Sequence, residues 1–196
     1  MASSATSDTV GSSRQVIFLR ADINRIINQR RWRYLALPFC ASLYAIFSYR
    51  LDRAGFEAFG ERWRYLRFPL VPIFFLCQTI SSADIHYHAE IGGGFAILHP
   101  ALGVVISGFV VAGEHLTLTG GNCLGGQPHH RHTGALSIGG WVVLGANATV
   151  LAPAILGDRV VVGAGAVVLC DVPDAATAVG VPARVVRPPA ADEQGR

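Results

Sequence analysis

Histidine is the side chain that gains and loses a proton near neutral pH. All seven crowd the middle of this chain, among them His86, His88, His99, His129, His130 and His132. One such ring can act as a general base towards a hydroxyl. A carboxylate bonded to its other nitrogen then fixes the tautomer and favours the cation as it forms. Asp84 stands fifteen residues before His99, close to the coil period argued below, so stacking can bring the two near each other. Three imidazoles at a seam between subunits offer a different chemistry, a zinc site. The plain alternative is structural: His99 is a wall residue bonded to backbone, and His129 and His130 are solvated. Gly125-Gly126 can let a backbone N–H approach a carbonyl oxygen, or can make a turn that needs glycine. Arg131 presents a planar fork suited to a carboxylate or phosphate. Cys40, Cys77, Cys123 and Cys170 form no CxxC pair, so they read as free thiols of a cytosolic protein.

The stretch that must position these residues keeps a period of six. Ile138, Leu144, Val150, Leu156, Val162 and Val168 are aliphatic, with small residues and glycine between them. Neither a helix nor a strand repeats at six. A solenoid with three short flat faces per turn does, with one aliphatic residue per face pointing into a narrow shaft. Ile85, Ile91 and Ile97 keep the same beat; one extra residue enters near Gly103, and Val104, Val110 and Leu116 resume it. The beat then fails until Ile138, so 122–137 reads as a loop thrown out of the coil. Loops on rigid scaffolds often carry function. Val172-Pro173 ends the beat and Gly180–Arg184 reads as a capping turn.

Residues 84–187 are thus a coiled domain. Residues 14–83 have few breakers and read as a helical domain, with Leu43, Ile46, Phe47 and Leu51 at helical spacing as its apolar face. Residues 1–13 are Ser/Thr-rich and read as disordered, and 188–196 as a loose tail. No signal peptide is visible. The apolar runs Leu35–Phe47 and Tyr65–Ile80 are too short or too interrupted to span a bilayer, which needs about 20 apolar residues. Peripheral contact with the inner membrane from a cytoplasmic protein remains open to them. Lysine is absent, and the 16 basic residues are all arginine. The half rich in arginine suits an anionic surface or a solvated helix face, but no nucleic-acid motif accompanies it. Only 15% of the chain is charged against 51% hydrophobic, which favours self-association.

Asp84-Ile85-His86, Ile91-Gly92-Gly93-Gly94, His99, Gly103–Ile106, Leu124-Gly125-Gly126, Arg131-His132, the hexads from Leu144 and Gly180-Val181-Pro182-Ala183-Arg184 run in the order seen in bacterial serine acetyltransferases. Tyr49-Arg50 fits as well. Over about residues 44–187 the chain resembles that family, within the wider hexapeptide-repeat acyltransferases. The resemblance implies a mainly β protein: a left-handed parallel β-helix behind a small α-helical domain. It implies a homotrimer, or a dimer of trimers, with acetyl-CoA as co-substrate along the groove between neighbouring coils and no metal. It makes His99 the catalytic base and Asp84 its orienting carboxylate. It sets Gly125 and Gly126 beside the thioester, and Arg131 and His132 against the acceptor. It lays the pantetheine arm and adenine along Gly145, Ala146, Gly163 and Ala164, with Arg184 at a CoA phosphate.

Two departures bear on the acceptor. Serine acetyltransferases carry an Asp directly before the catalytic His, which helps hold the ammonium; here Leu98 occupies that position. A second carboxylate of their helical domain has no counterpart around Ile27-Asn28, and Asp22 is several residues away. A charged ammonium without a carboxylate is poorly compensated. On this reasoning the expected acceptor is a sugar hydroxyl, as in the capsule and exopolysaccharide branch of the family. Serine O-acetylation is the alternative; a trimeric zinc enzyme and a non-catalytic scaffold are further ones. The chain ends in Gly195-Arg196 where tails that bind cysteine synthase end in Ile, which speaks against that partner.

Overall fold

A computed structural model describes residues 5–27, 39–126 and 136–186, with side chains of the first helix from Arg14 onward. Four helices come first: α1 (Ala5–Ile27), α2 (Ala41–Phe59), α3 (Trp63–Leu66) and α4 (Val71–Ser81). Tight 3-10 turns at Gly60–Arg62 and Phe68–Leu70 join the last three, the second holding Pro69. Helix α1 begins at Ala5, within the Ser/Thr-rich stretch. Gly11 is the only breaker there, and a helix propagates cheaply once it is nucleated.

The coil forms three sheets. One stacks β1 (Ala83–Ile85), β4 (Val104–Ile106), β7 (Asn122–Gly126), β10 (Thr149–Ala152) and β13 (Val167–Val168). A second stacks β2 (Glu90–Ile91), β5 (Val110–Ala112), β8 (Leu136–Ile138) and β11 (Ala154–Leu156). The third stacks β3 (Ala96–Ile97), β6 (Thr117–Leu118), β9 (Val143–Leu144), β12 (Val161–Val162), β14 (Thr177–Val179) and β15 (Arg184–Val186). We call them faces A, B and C. Every pairing is parallel except β14 with β15, which closes the far end. So the coil continues past Val172-Pro173 and ends on a reversed strand.

The hexad residues from Ile138 to Val168 are all 3% exposed or less, and so are Leu136, Val142, Ala148, Ala154, Val160 and Ala166, two places before each. Two inward positions per face, with one outward residue between them, is the alternation of a short strand. Coil spacing varies. Ala83 pairs with Val104, a step of 21, and Thr149 with Val167, a step of 18. The first coil therefore carries three extra residues, not one. They make the 3-10 turn Pro100–Leu102 directly after His99. The sequence count went astray because Val104 opens the second inward series, so a jump of three looked like a jump of one.

The loop at 122–137 is likewise narrower than expected. Asn122–Gly126 pairs with β4 and β10, and Leu136 opens β8. Hydrophobicity fails at Asn122 while geometry does not: its amide is 1% exposed in the inward row after Val104, Val110 and Leu116. Its Oδ1 accepts the Gly120 N–H at 2.9 Å and its Nδ2 donates to the Gly145 carbonyl at 2.7 Å. Asn122→Leu fits the shaft but strands both backbone groups, each worth about 1–3 kcal/mol. We expect a clear fall in the thermal unfolding midpoint, measured by circular dichroism; an unchanged midpoint would show that water replaces the amide without loss.

The helices close the near end of the coil. The apolar face predicted on α2 has the right period and the wrong phase: Ile46 is buried, but Phe47 and Leu51 are exposed. The buried side carries Ser42, Ala45, Tyr49, Arg50 and Arg53 instead. The first coil leaves backbone groups without a neighbouring strand, and these must find partners. Tyr49 Oη donates to Ala89 O and accepts from the Ile91 N–H. Arg50 donates to Ile91 O and Gly92 O, Ser42 to Ile97 O, and Arg53 to Tyr87 O and His88 O. Arg25 of α1 reaches Gly94 O and Leu116 O. Behind this row Arg50 is locked to Asp22 at 2.9 Å. Among the described residues no helix is long and apolar enough to cross a membrane.

Candidate active site

The corner where face C passes into face A runs the length of the coil. His99 opens its first turn, followed by Gly120-Gly121, Ala146-Asn147, Ala164-Gly165 and Gly180. Backbone bonds stack them: Gly121 N–H to Gly103 O, Asn147 N–H to Gly120 O, Gly165 N–H to Ala146 O, and Val167 N–H to Gly180 O. At about 4.8 Å per strand, four steps span ~19 Å. Gly145, Ala146, Gly163 and Ala164 all lie on this ledge, and Arg184, paired with Val179, stands exposed at its far end. Six of the expected site residues thus share one edge. No charged side chain interrupts it between His99 and Arg184, which suits an extended arm ending in phosphate.

His99 is exposed, and only its backbone is pinned, its N–H donating to Thr119 O at 2.8 Å. Asp84 faces outward from the middle strand position of face A, paired with Val105. Stacking sets it over Val105 and not over His99, and no hydrogen bond joins the two side chains. Catalytic hydrogen bonds are often long or absent before substrate arrives. A cavity of about 400 Å³ nonetheless links their surroundings, lined by Asp84, Gln78, Ser82, Leu102, Gly103, Gly121, Asn122 and Cys123. Of these, sequence reasoning had picked out only Asp84 for chemistry; the polar Asn122 on an otherwise aliphatic beat was the signal for its neighbourhood.

Gly125 and Gly126 end β7, so they are strand residues and not a turn. A methyl group on Gly125 would come into ordinary contact with Ser107 Oγ at 3.4 Å and Cys123 Sγ at 3.8 Å. The glycine keeps that outer surface of face A open. Arg131 and His132, with His129 and His130, lie outside the described residues. β7 ends at Gly126, at the edge of face A opposite His99, and β8 opens on face B at Leu136.

Beside Asp84, a second cavity of about 70 Å³ is lined by Ser48, Tyr49, Asp52, Arg67, Phe74, Gln78 and Asp84. Asp52 accepts the Trp63 indole N–H at 2.6 Å and pairs with Arg67 at 2.8 Å. Burial pushes its carboxyl above the usual range, against the pull of Trp63 and Arg67. Burial, with His88 and Arg67 nearby, holds His86 below the ordinary histidine value. Among the described residues, no three His, Cys, Asp or Glu converge as metal ligands.

A three-faced hexad coil, helices over its first turn and an open ledge leading from a histidine to an arginine define a hexapeptide-repeat acyltransferase. The chain is 34% identical to the serine acetyltransferase of Helicobacter pylori over 158 residues, covering 81% of this chain and 87% of that one. It is 38% identical to the serine acetyltransferase of Synechococcus elongatus over 142 residues, 67% of this chain but only 57% of that relative. The solved serine acetyltransferase of Brucella abortus in complex with coenzyme A is similar at a TM-score of 0.75 and 25% identity, covering 92% of this chain and 71% of that one. That of Neisseria gonorrhoeae in complex with serine is similar at 0.69 and 26%, covering 91% and 71%. No protein-family model matches the chain. The chain belongs to the serine acetyltransferase family, and its coil is the left-handed parallel β-helix of that family.

This overturns the sugar acceptor and the capsule and exopolysaccharide branch. Relatives at 31–38% identity carry the name serine acetyltransferase. The argument from Leu98 took a missing carboxylate at one position for a missing carboxylate in the site. Leu98 is 55% exposed on the His99 corner, and Asp22 is fully buried against Arg50, so neither serves an ammonium there.

Proposed function

We propose that this protein transfers the acetyl group of acetyl-CoA to the hydroxyl of serine, giving O-acetylserine and free CoA. The observation that carries the reading is the match along 87% of a serine acetyltransferase, together with the ledge that starts at His99. In this reading His99 removes the hydroxyl proton as the oxygen attacks the thioester carbonyl. Asp84 comes to the other ring nitrogen and favours the imidazolium. Backbone N–H groups at Gly125-Gly126 receive the oxyanion. The intermediate collapses, the C–S bond breaks, and the imidazolium returns its proton to the departing thiolate. Gly145, Ala146, Gly163 and Ala164 leave room for the pantetheine arm, and Arg184 meets a phosphate.

His99 and Gly126, the last described residue before Arg131 and His132, stand at opposite edges of face A. A homotrimer brings one chain's first edge to its neighbour's second, so that base and acceptor-binding residues face each other across the seam. This supports a trimeric enzyme, with a dimer of trimers as the larger assembly. As part of the same proposal the protein works in the cytoplasm. Phe68, Ile73, Phe75 and Leu76, all exposed on and before α4, then cover subunit or membrane contacts.

The test is release of CoA thiol from acetyl-CoA by purified protein with serine as acceptor, beside homoserine and nucleotide sugars. Release with serine alone is expected. Tight CoA binding with no release to serine would refute the assignment.

A further inference from the structure

A cavity of about 220 Å³ lies where α1 and α2 meet the first two strands of face B. Arg14 and Phe18 of α1 and Arg53 and Glu57 of α2 form its helical side. Glu90 of β2, Val111 of β5 and Glu114 just beyond β5 form its coil side. It shares no lining residue with the cavities beside Asp84, and His99 stands on a different corner of the coil. Whatever fills it is therefore separate from the acetyl acceptor.

The charges that line it do not balance. Three carboxylates, Glu57, Glu90 and Glu114, meet two guanidiniums, Arg14 and Arg53. Arg53 has no donor to spare. Its Nε bonds Glu57 Oε1 at 3.0 Å, one Nη bonds Glu90 at 2.9 Å, and the other reaches the carbonyls of Tyr87 and His88. Gln15 donates to the same Glu57 Oε1 at 2.9 Å. Glu57 Oε2 is thereby left buried, with no hydrogen-bond partner among the described residues. A buried charged acceptor without a donor is rare and unfavourable. Arg14 does not supply one: it is exposed, and its guanidinium lies over the Phe18 ring, 5.1 Å from the centre. The stretch before Arg14 holds no arginine, lysine or histidine.

We infer that this cavity is a binding site for a small aliphatic ammonium compound, whose ammonium donates to Glu57 Oε2 while its methylenes lie against Phe18 and Val111. One positive charge makes up the deficit of the lining. A bare metal ion does not suit the site, because no three His, Cys, Asp or Glu converge among the described residues. The volume of about 220 Å³ is below the ~300–1,000 Å³ of sites for drug-sized ligands, so the ligand is a chain of a few carbons and not a nucleoside. Glu114, exposed on the coil side, draws the cation in. A ligand seated there touches both helices and the coil at once. It binds only the folded chain and so stabilises it.

The experiment is isothermal titration of the full chain with n-butylamine, 1,4-diaminobutane and lysine, beside butanol and butyrate, with a thermal melt of each mixture. Saturable binding of at least one amine is expected, with a raised midpoint; butanol and butyrate, matched in length but not in charge, should do neither. Lysine binding above butylamine would bring Arg14 in as the partner of its carboxylate, and diaminobutane above butylamine would bring in Glu114; either order supports the site. Glu57→Gln should weaken the best amine roughly 10- to 100-fold, the loss of a charge-assisted hydrogen bond. Glu114→Gln, at an exposed position where folding is not at stake, should weaken it as well. No saturable binding of any amine to wild type overturns the site. So does binding that survives unchanged in both variants, or that coenzyme A displaces, which would put the amine on the ledge.

Discussion

His99→Ala is expected to lower kcat with acetyl-CoA and serine by roughly 10²–10⁴-fold, the usual contribution of a positioned general base. The thermal midpoint should barely change. His99 is exposed on a corner turn, and its ring bonds no described residue; surface substitutions of that kind stay within about 0.5 kcal/mol. The separation of the two effects is the point of the test. A wall residue would show the reverse pattern, with stability lost and turnover kept. CoA thiol release and a thermal melt on the same sample decide between them. Turnover within a few-fold of wild type would move the base elsewhere, with His132 the first residue to examine. KM for acetyl-CoA should hold in either case, because the ledge from Ala146 to Gly180 is untouched.

Asp22→Ala is expected to be the most destabilising single substitution in the helical part, by about 3–5 kcal/mol. Asp22 accepts from Arg50 Nε at 2.9 Å and from the Phe95 N–H at 2.7 Å. Removing it leaves a guanidinium that is 2% exposed without its counter-charge. The cost falls on the uncompensated charge more than on the lost attraction. For a chain of this size the midpoint should drop by roughly 6–20 °C. Asp22→Leu combined with Arg50→Met removes the bare charge but leaves Ile91 O, Gly92 O and the Phe95 N–H without partners, so it should recover only part of the loss. A single variant that melts with wild type would mean that water enters and solvates Arg50.

The coil was legible because its physical demand is periodic. Every face must fill the same narrow shaft, so Ile138 to Val168 repeat at six and burial follows the repeat. What was not legible is where polar chemistry replaces that demand. Asn122 takes an inward place and broke the beat, although its amide satisfies Gly120 and Gly145. Arg50 and Tyr49 face the coil because open backbone groups need donors, and a hydropathy pattern points the other way round the helix. The three-residue turn after His99 hid behind the second inward series. The ledge residues Gly145, Ala146, Gly163 and Ala164 could be named from family motifs, but their alignment into one edge needed the register. The acceptor was misjudged because Leu98 says only what one position lacks.

The row of donors from Ser42, Tyr49, Arg50, Arg53 and Arg25 also fixes how long the solenoid is. A stack of coils has no intrinsic limit; each added turn presents the same edge as the last. Here the carbonyls of Tyr87, His88, Ala89, Ile91, Gly92, Gly94 and Ile97 are already occupied by helix side chains, which blunts the edge against another strand. At the other end the reversed β15 presents a mismatched direction to any incoming parallel strand. The helical part is therefore a chain-length stop as well as a cover. Protein cut back to start at Ala83 should keep its shaft and lose that stop at one end only, so that chains join in pairs through the bared first coil, a dimer visible by analytical ultracentrifugation, while β15 still blocks growth at the other end.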